Sequence, residues 1–130
     1  MKKGFTLVEL LAVLVILGII SVVATPILTR IIDDAKADSK LRSAELYIEA
    51  ARLAVLRERV SGDLDAATCT VIATGDLNCS GTLVSVSAKH NNATSGTITF
   101  SNGSVTDVEE LTIEDESFSY NSSKNLVRDE

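Results

Sequence analysis

A length of 130 residues favours one domain, and a composition with no Trp, two Tyr and three Phe makes its core modest. Twelve basic residues against eighteen acids leave a formal net charge of −6, and the imbalance sits at one end: Ser61–Glu130 sets Lys89, Lys124 and Arg128 against eleven acids. An outer portion this acidic argues against broad nucleic-acid binding. One His and two Cys fall short of the four ligands of a structural zinc site, and no nucleophile elbow or phosphate-binding loop is present. The composition therefore offers no catalytic constellation and requires no metal or cofactor.

The chain opens MKKGFTLVELLAVLVILGII. Lys2 and Lys3 ahead of the apolar stretch Phe5–Leu28 read as a membrane-targeting segment. As helix, Leu7–Leu28 is about 33 Å long, enough to cross a bilayer core. Three readings compete: a secretory signal cut after Ala24 at the small-residue site Val22-Val23-Ala24, a plain single-span anchor, and a segment that leaves the membrane to pack against copies of itself. Glu9 bears on the choice. An ionised residue at a bilayer centre costs about 2.5–3.5 kcal/mol, but one near the start of the span can stay close to the headgroups. The cost becomes acute only where helices bundle and exclude water, and there the carboxylate needs a cation. Cleavage between Gly4 and Phe5 makes one, an α-amine with a pKa of about 7.7–8. A buried pair of this kind adds little cohesion, whereas losing one partner costs ~3–5 kcal/mol, so its role is to set register.

Beyond Leu28 the apolar positions narrow to a stripe, Ile27, Leu28, Ile31, Ile32, Ala35, Leu41, Ala44, Tyr47, Ile48, Ala51 and Val55, at intervals mostly of three and four. One helix is predicted, apolar all round over 5–28 and amphipathic over 29–61, ending at Ser61-Gly62. Within it Pro26 cannot donate to the Val22 carbonyl and costs about 3 kcal/mol, and Gly18 costs about 1 more, so Gly18–Pro26 is its weakest stretch. Arg52, Arg57 and Arg59 read as a solvated helix end.

From 62 to 130 short alternating runs rich in β-branched residues predict a small antiparallel sheet that covers the apolar stripe, giving an α+β fold. TLVSVSAK (Thr82–Lys89) places Val84, Val86 and Ala88 on one face; TITF (Thr97–Phe100) is followed by the hairpin dipeptide Asn102-Gly103; ELTIE and SFSY are two further strands. LDAATCTVIA reads as either a short helix or a strand. Cys69 and Cys79 form a disulfide if the domain is exported and remain two free thiols otherwise. His90, beside two Asn, reads as a loop residue, and the acids from Asp107 to Glu116 as a solvated edge.

GFTLVELL resembles the prepilin signature of the type IV pilins and pseudopilins: a short basic leader Met1–Gly4, the Gly-Phe junction, Thr6-Leu7-Val8, and an acid four residues after Phe5. The resemblance is specific at the start and beyond about Ile32 extends only to the overall plan. It implies a long N-terminal helix on a small sheet and a leader, residues 1–4, removed after Gly4 by a prepilin peptidase that then methylates the Phe5 amine. It also implies that Glu9 attracts the Phe5 amine of a neighbouring subunit, and that Gly18–Pro26 loses helicity on assembly, lengthening the subunit by about 14 Å. By the same resemblance the chain waits in the cytoplasmic membrane with its C-terminal domain outside, then polymerises into an extracellular filament with an assembly platform protein and an ATPase. The implied role is a structural, non-enzymatic main-body subunit of a type IV pilus. A pseudopilin of a type II secretion or DNA-uptake apparatus, the one setting in which nucleic acid enters, is the near alternative; a secreted binding module cut after Ala24 is the alternative of another class.

Overall fold

The structure, a computed structural model, describes residues 3–61, 66–88 and 93–130. Gly62, Lys89 and His90, on which sequence expectations fall, lie outside them. A single helix, α1 (Leu7–Ser61), is followed by seven strands, β1 (Ala66–Val71), β2 (Leu77–Cys79), β3 (Thr82–Val84), β4 (Ser95–Ser101), β5 (Ser104–Ile113), β6 (Glu116–Tyr120) and β7 (Leu126–Arg128). The architecture is α+β and pilin-like. The chain separates into two compact units, Met1–Ala37 and Asp38–Glu130.

In the second unit the strands form one antiparallel sheet in the order β3-β2-β1-β4-β5-β6-β7. It consists of two meanders, β1-β2-β3 and β4-β5-β6-β7, joined at the β1–β4 pair. The helical period selects Ala44, Tyr47, Ile48, Ala51 and Val55 for burial, and they share one core with Cys69, Val71, Leu77, Cys79, Ile98, Phe100, Val108, Leu111, Ile113 and Phe118 from the sheet. Each large side chain fully buried there contributes ~1.5–3 kcal/mol. Tyr47 is wholly buried, and its hydroxyl donates to the carbonyl of Gly75 at 2.8 Å, so the helix also fastens the β1–β2 turn. Burial, and secondarily the nearby Asp76 charge, raises the Tyr47 phenol above its ordinary pKa.

Three two-residue turns have positive φ at both positions, the geometry that matches strand twist. They are Ser80-Gly81 (52° and 91°), Asn102-Gly103 (49° and 76°) and Glu114-Asp115 (49° and 66°). The Asn102-Gly103 hairpin falls where the sequence predicts it, with Ser101 opposite Ser104. LDAATCTVIA, open between helix and strand from the sequence, is strand from Ala66 to Val71, where Ala67, Cys69 and Val71 alternate inward; Ile72 and Ala73 lie beyond the strand. The strand expected over Thr82–Lys89 stops at Val84; Val86 stays buried, but its amide donates to Asp76 Oδ1 at 3.1 Å instead of to a neighbouring strand.

Cys69 and Cys79 sit directly opposite each other on β1 and β2 and are joined by a disulfide, with Cα atoms 4.2 Å apart. A crosslink across so short a loop is typically worth about 2–4 kcal/mol and persists only in an oxidising compartment. The acidic stretch is not uniformly a solvated edge. Lys40 Nζ donates to Glu116 Oε1 at 2.8 Å, and Arg128 Nη1 lies 3.8 Å from the same oxygen. Glu116 thus ties α1 to β6 and β7, and the hydrogen bond from Lys40 holds its carboxyl below the usual 4.5.

Gly96 has a φ of +132°, and a Cβ there would stand 2.6 Å from Leu111 Cα, at the bulge where β4 and β5 shift register. Gly96→Ala is expected to destabilise the protein by about 2 kcal/mol or more, read as a fall in the thermal midpoint in detergent micelles. A carboxylate whose pKa is lowered on folding stabilises above its unfolded pKa, and that contribution is lost as pH falls through the folded value. The midpoint gap between the parent and Glu116→Gln should therefore be full at neutral pH and close as pH drops below 4.5.

Candidate functional site

The first unit carries the candidate functional surface. Eighteen large apolar side chains between Phe5 and Ile32 are each 50–92% exposed. The part of α1 they cover is long and apolar enough to cross a membrane, with a mean hydropathy of 2.9 over its best stretch. At ~1.5–3 kcal/mol per large side chain, water is not a tolerable medium for such a surface, which must be covered by lipid or by protein.

The helix begins with a reciprocal pair of hydrogen bonds. The Thr6 amide donates to Glu9 Oε2 at 3.0 Å, and the Glu9 amide donates to Thr6 Oγ1 at 3.3 Å. This is a capping box, with Thr6 at the N-cap and Glu9 three residues on, and it satisfies two of the amides that a helix start leaves without partners. The carboxylate also sits at the positive end of the helix dipole. In the single chain, then, Glu9 has a local role that needs no second subunit. Charge reasoning alone misses it, although the signal, Thr-x-x-Glu before an apolar run, is present in the sequence.

Gly4 and Phe5 precede the helix in non-helical backbone, with Phe5 92% exposed and no atom within 4 Å of a Cβ placed on Gly4. The Gly4–Phe5 bond is thus open to an enzyme. Gly18 and Pro26 both lie inside α1, which runs through them unbroken. The hydroxyls near Pro26 are satisfied on the helix itself: Ser21 Oγ donates to the Leu17 carbonyl at 2.7 Å, Thr25 Oγ1 to Ser21 at 2.6 Å and Thr29 Oγ1 to Pro26 at 3.0 Å. Such back-bonds let polar side chains sit in a water-free medium. The structure brings Gly4, Phe5 and Glu9 together at one end of the helix and leaves Gly18 and Pro26 further along it; Cys69 and Cys79 belong to the other unit. Among the described residues no group of three or more His, Cys, Asp or Glu is placed to hold a metal ion.

Residues 1–25 match the prokaryotic N-terminal methylation motif. The chain therefore carries the signature of the type IV prepilins and pseudopilins, a class of structural proteins, and its long helix with an antiparallel sheet has the corresponding fold. The chain matched none of the curated proteins and none of the solved structures with which it was compared. The motif and the apolar helix together fit insertion into a membrane before assembly.

The capping box separates two properties of Glu9 that a substitution by Ala would merge. Glu9→Gln keeps an acceptor for the Thr6 amide and should leave the first turn intact, whereas Thr6→Val should fray it at a cost of about 1 kcal/mol. Amide hydrogen exchange over Leu7–Leu11 in micelles distinguishes the two.

Proposed function

We propose that this chain is a main-body structural subunit of a type IV pilus. In this reading residues 1–4 are a leader removed by a prepilin peptidase, and Phe5 becomes the methylated N-terminus. Residues 5–28 hold the subunit in the cytoplasmic membrane and later form the filament core, residues 29–61 continue the helix, and residues 62–130 form the outer skin. The observation that carries the reading is the exposed apolar surface of Phe5–Ile32 directly behind the Gly4-Phe5 junction of the matched motif, a surface that lipid or other copies must cover wherever the segment is retained. The Cys69–Cys79 disulfide supports a C-terminal domain on the oxidising side of the membrane.

Assembly then exchanges lipid for helices of other copies. Glu9 meets the cationic Phe5 amine of a neighbour, and because its two oxygens are separate acceptors, Oε2 can keep the Thr6 amide while Oε1 takes the ammonium. Gly18–Pro26 is the stretch that gives way if the subunit lengthens in the filament. A platform protein and an ATPase drive the exchange.

Mass analysis of the mature N-terminus tests the processing step: a chain that begins at methylated Phe5 supports the pilin reading, and one that begins at Thr25 replaces it with a secreted module. Imaging tests the assembly step. Fibres should be absent from cells that lack this chain, and Glu9→Gln should reach the membrane and be cleaved normally yet give few fibres. Normal fibre yield from Glu9→Gln would remove the proposed pairing.

A further inference from the structure

Asn102 stands exposed at the tip of the β4–β5 hairpin, and its side-chain amide has no hydrogen-bond partner among the described residues. The other described asparagines differ in ways that matter chemically. Asn78 Oδ1 accepts the Gly81 amide at 3.0 Å, and Asn121 Oδ1 accepts the Ser123 and Asn125 amides, each at 3.0 Å. The Asn125 side chain is free, but it is followed by Leu126, whose branched side chain packs against the core. Among the described asparagines only Asn102 combines a free amide with a following residue, Gly103, that has no side chain to crowd its backbone nitrogen.

We propose that Asn102 is a self-modification site, converted to aspartate and isoaspartate without an enzyme. The Gly103 nitrogen, its proton taken by hydroxide, attacks Cγ of Asn102. The new N–Cγ bond closes a cyclic imide, the Cγ–Nδ2 bond breaks, and the departing nitrogen takes a proton from water and leaves as ammonia. A second step hydrolyses the imide. Water attacking Cγ restores the original backbone with aspartate at 102. Water attacking the main-chain carbonyl carbon of residue 102 gives isoaspartate, whose backbone runs through Cγ. The sum is water consumed and ammonia released in equal amounts, with nothing oxidised or reduced.

The fold controls the step through the turn. Asn102 and Gly103 hold φ of 49° and 76° in the closed hairpin, and ring closure requires their shared peptide to leave that conformation. Only the pairs Ser101–Ser104 and Phe100–Val105 lie between the tip and the register shift at Thr99/Phe100. A bulge interrupts the ladder, so the short end beyond it can open while the Ile98–Val108 pair stays closed. Conversion adds a negative charge to a chain whose net charge is already −6. Aspartate tolerates the positive φ of position 102. Isoaspartate instead inserts a carbon into the backbone of a two-residue turn and moves Ser101 out of line with Ser104. The step holds whether or not the chain polymerises, so it stands or falls separately from the proposed function.

The test incubates the purified full-length chain in detergent micelles at mildly alkaline pH, digests it, and assigns each asparagine from fragment masses. The Asn102 amide should be lost while those of Asn78, Asn121 and Asn125 are retained, and its peptide should separate into aspartyl and isoaspartyl forms. Asn102→Gln, which must close a larger ring, should abolish the early release of ammonia. Urea, which opens the turn, should speed conversion at Asn102. An Asn102 amide that survives while another described asparagine reacts would overturn the site. Aspartate without isoaspartate would overturn the imide route, and slower conversion in urea would overturn the role of tip opening.

Discussion

The constraint on which the rest of the structure depends is a helix surface that water cannot solvate. Between Phe5 and Ile32 the large side chains point outward on every side, and none of them joins the core. A soluble amphipathic helix hides one stripe and wets the other; this segment has no stripe to wet. Its environment must therefore be supplied from outside the chain, first by lipid and then, in the reading proposed here, by copies of itself. The second unit needs no such help, because the amphipathic end of the same helix already closes a core with seven strands.

Glu9 is an acid in an otherwise apolar segment, and the geometry shows why a carboxylate can be retained there. It sits in the first turn, where the helix dipole favours an anion, and its carboxylate accepts the Thr6 amide. The desolvation cost that would exclude a carboxylate from the middle of the span is offset locally before any partner arrives. A neighbour's ammonium, where it binds, meets an acceptor already oriented.

Much of this was legible in the sequence, for identifiable reasons. The helix was, because apolar residues spaced at three and four persist from the amphipathic start through Val55. The Asn102-Gly103 hairpin was, because few other dipeptides take positive φ twice without strain. The Glu114-Asp115 turn was not, since two acids carry no such signal and adopt the geometry only because Ile113 and Glu116 are paired around them. β7 was not, since three residues are too few for an alternation. Glu116 looks no different from its acidic neighbours in the sequence because its cations, Lys40 and Arg128, are remote along the chain. In the candidate site the Gly-Phe junction and Glu9 were visible as residues, whereas the hydrogen bonds that join Glu9 to Thr6 came from the structure.

The hydroxyls of Ser21, Thr25 and Thr29 are each spent on a carbonyl of their own helix. That stretch of the rod consequently offers its surroundings almost no directional bonds, only a slick hydrocarbon coat with shallow grooves. Such coats interlock ridge to groove at a limited set of crossing angles, but a slide of about two turns nearly repeats the fit, so apolar packing by itself leaves the axial position weakly defined. The choice among those positions falls to the polar ends of the segment, where a few charges can tell one axial setting from the next.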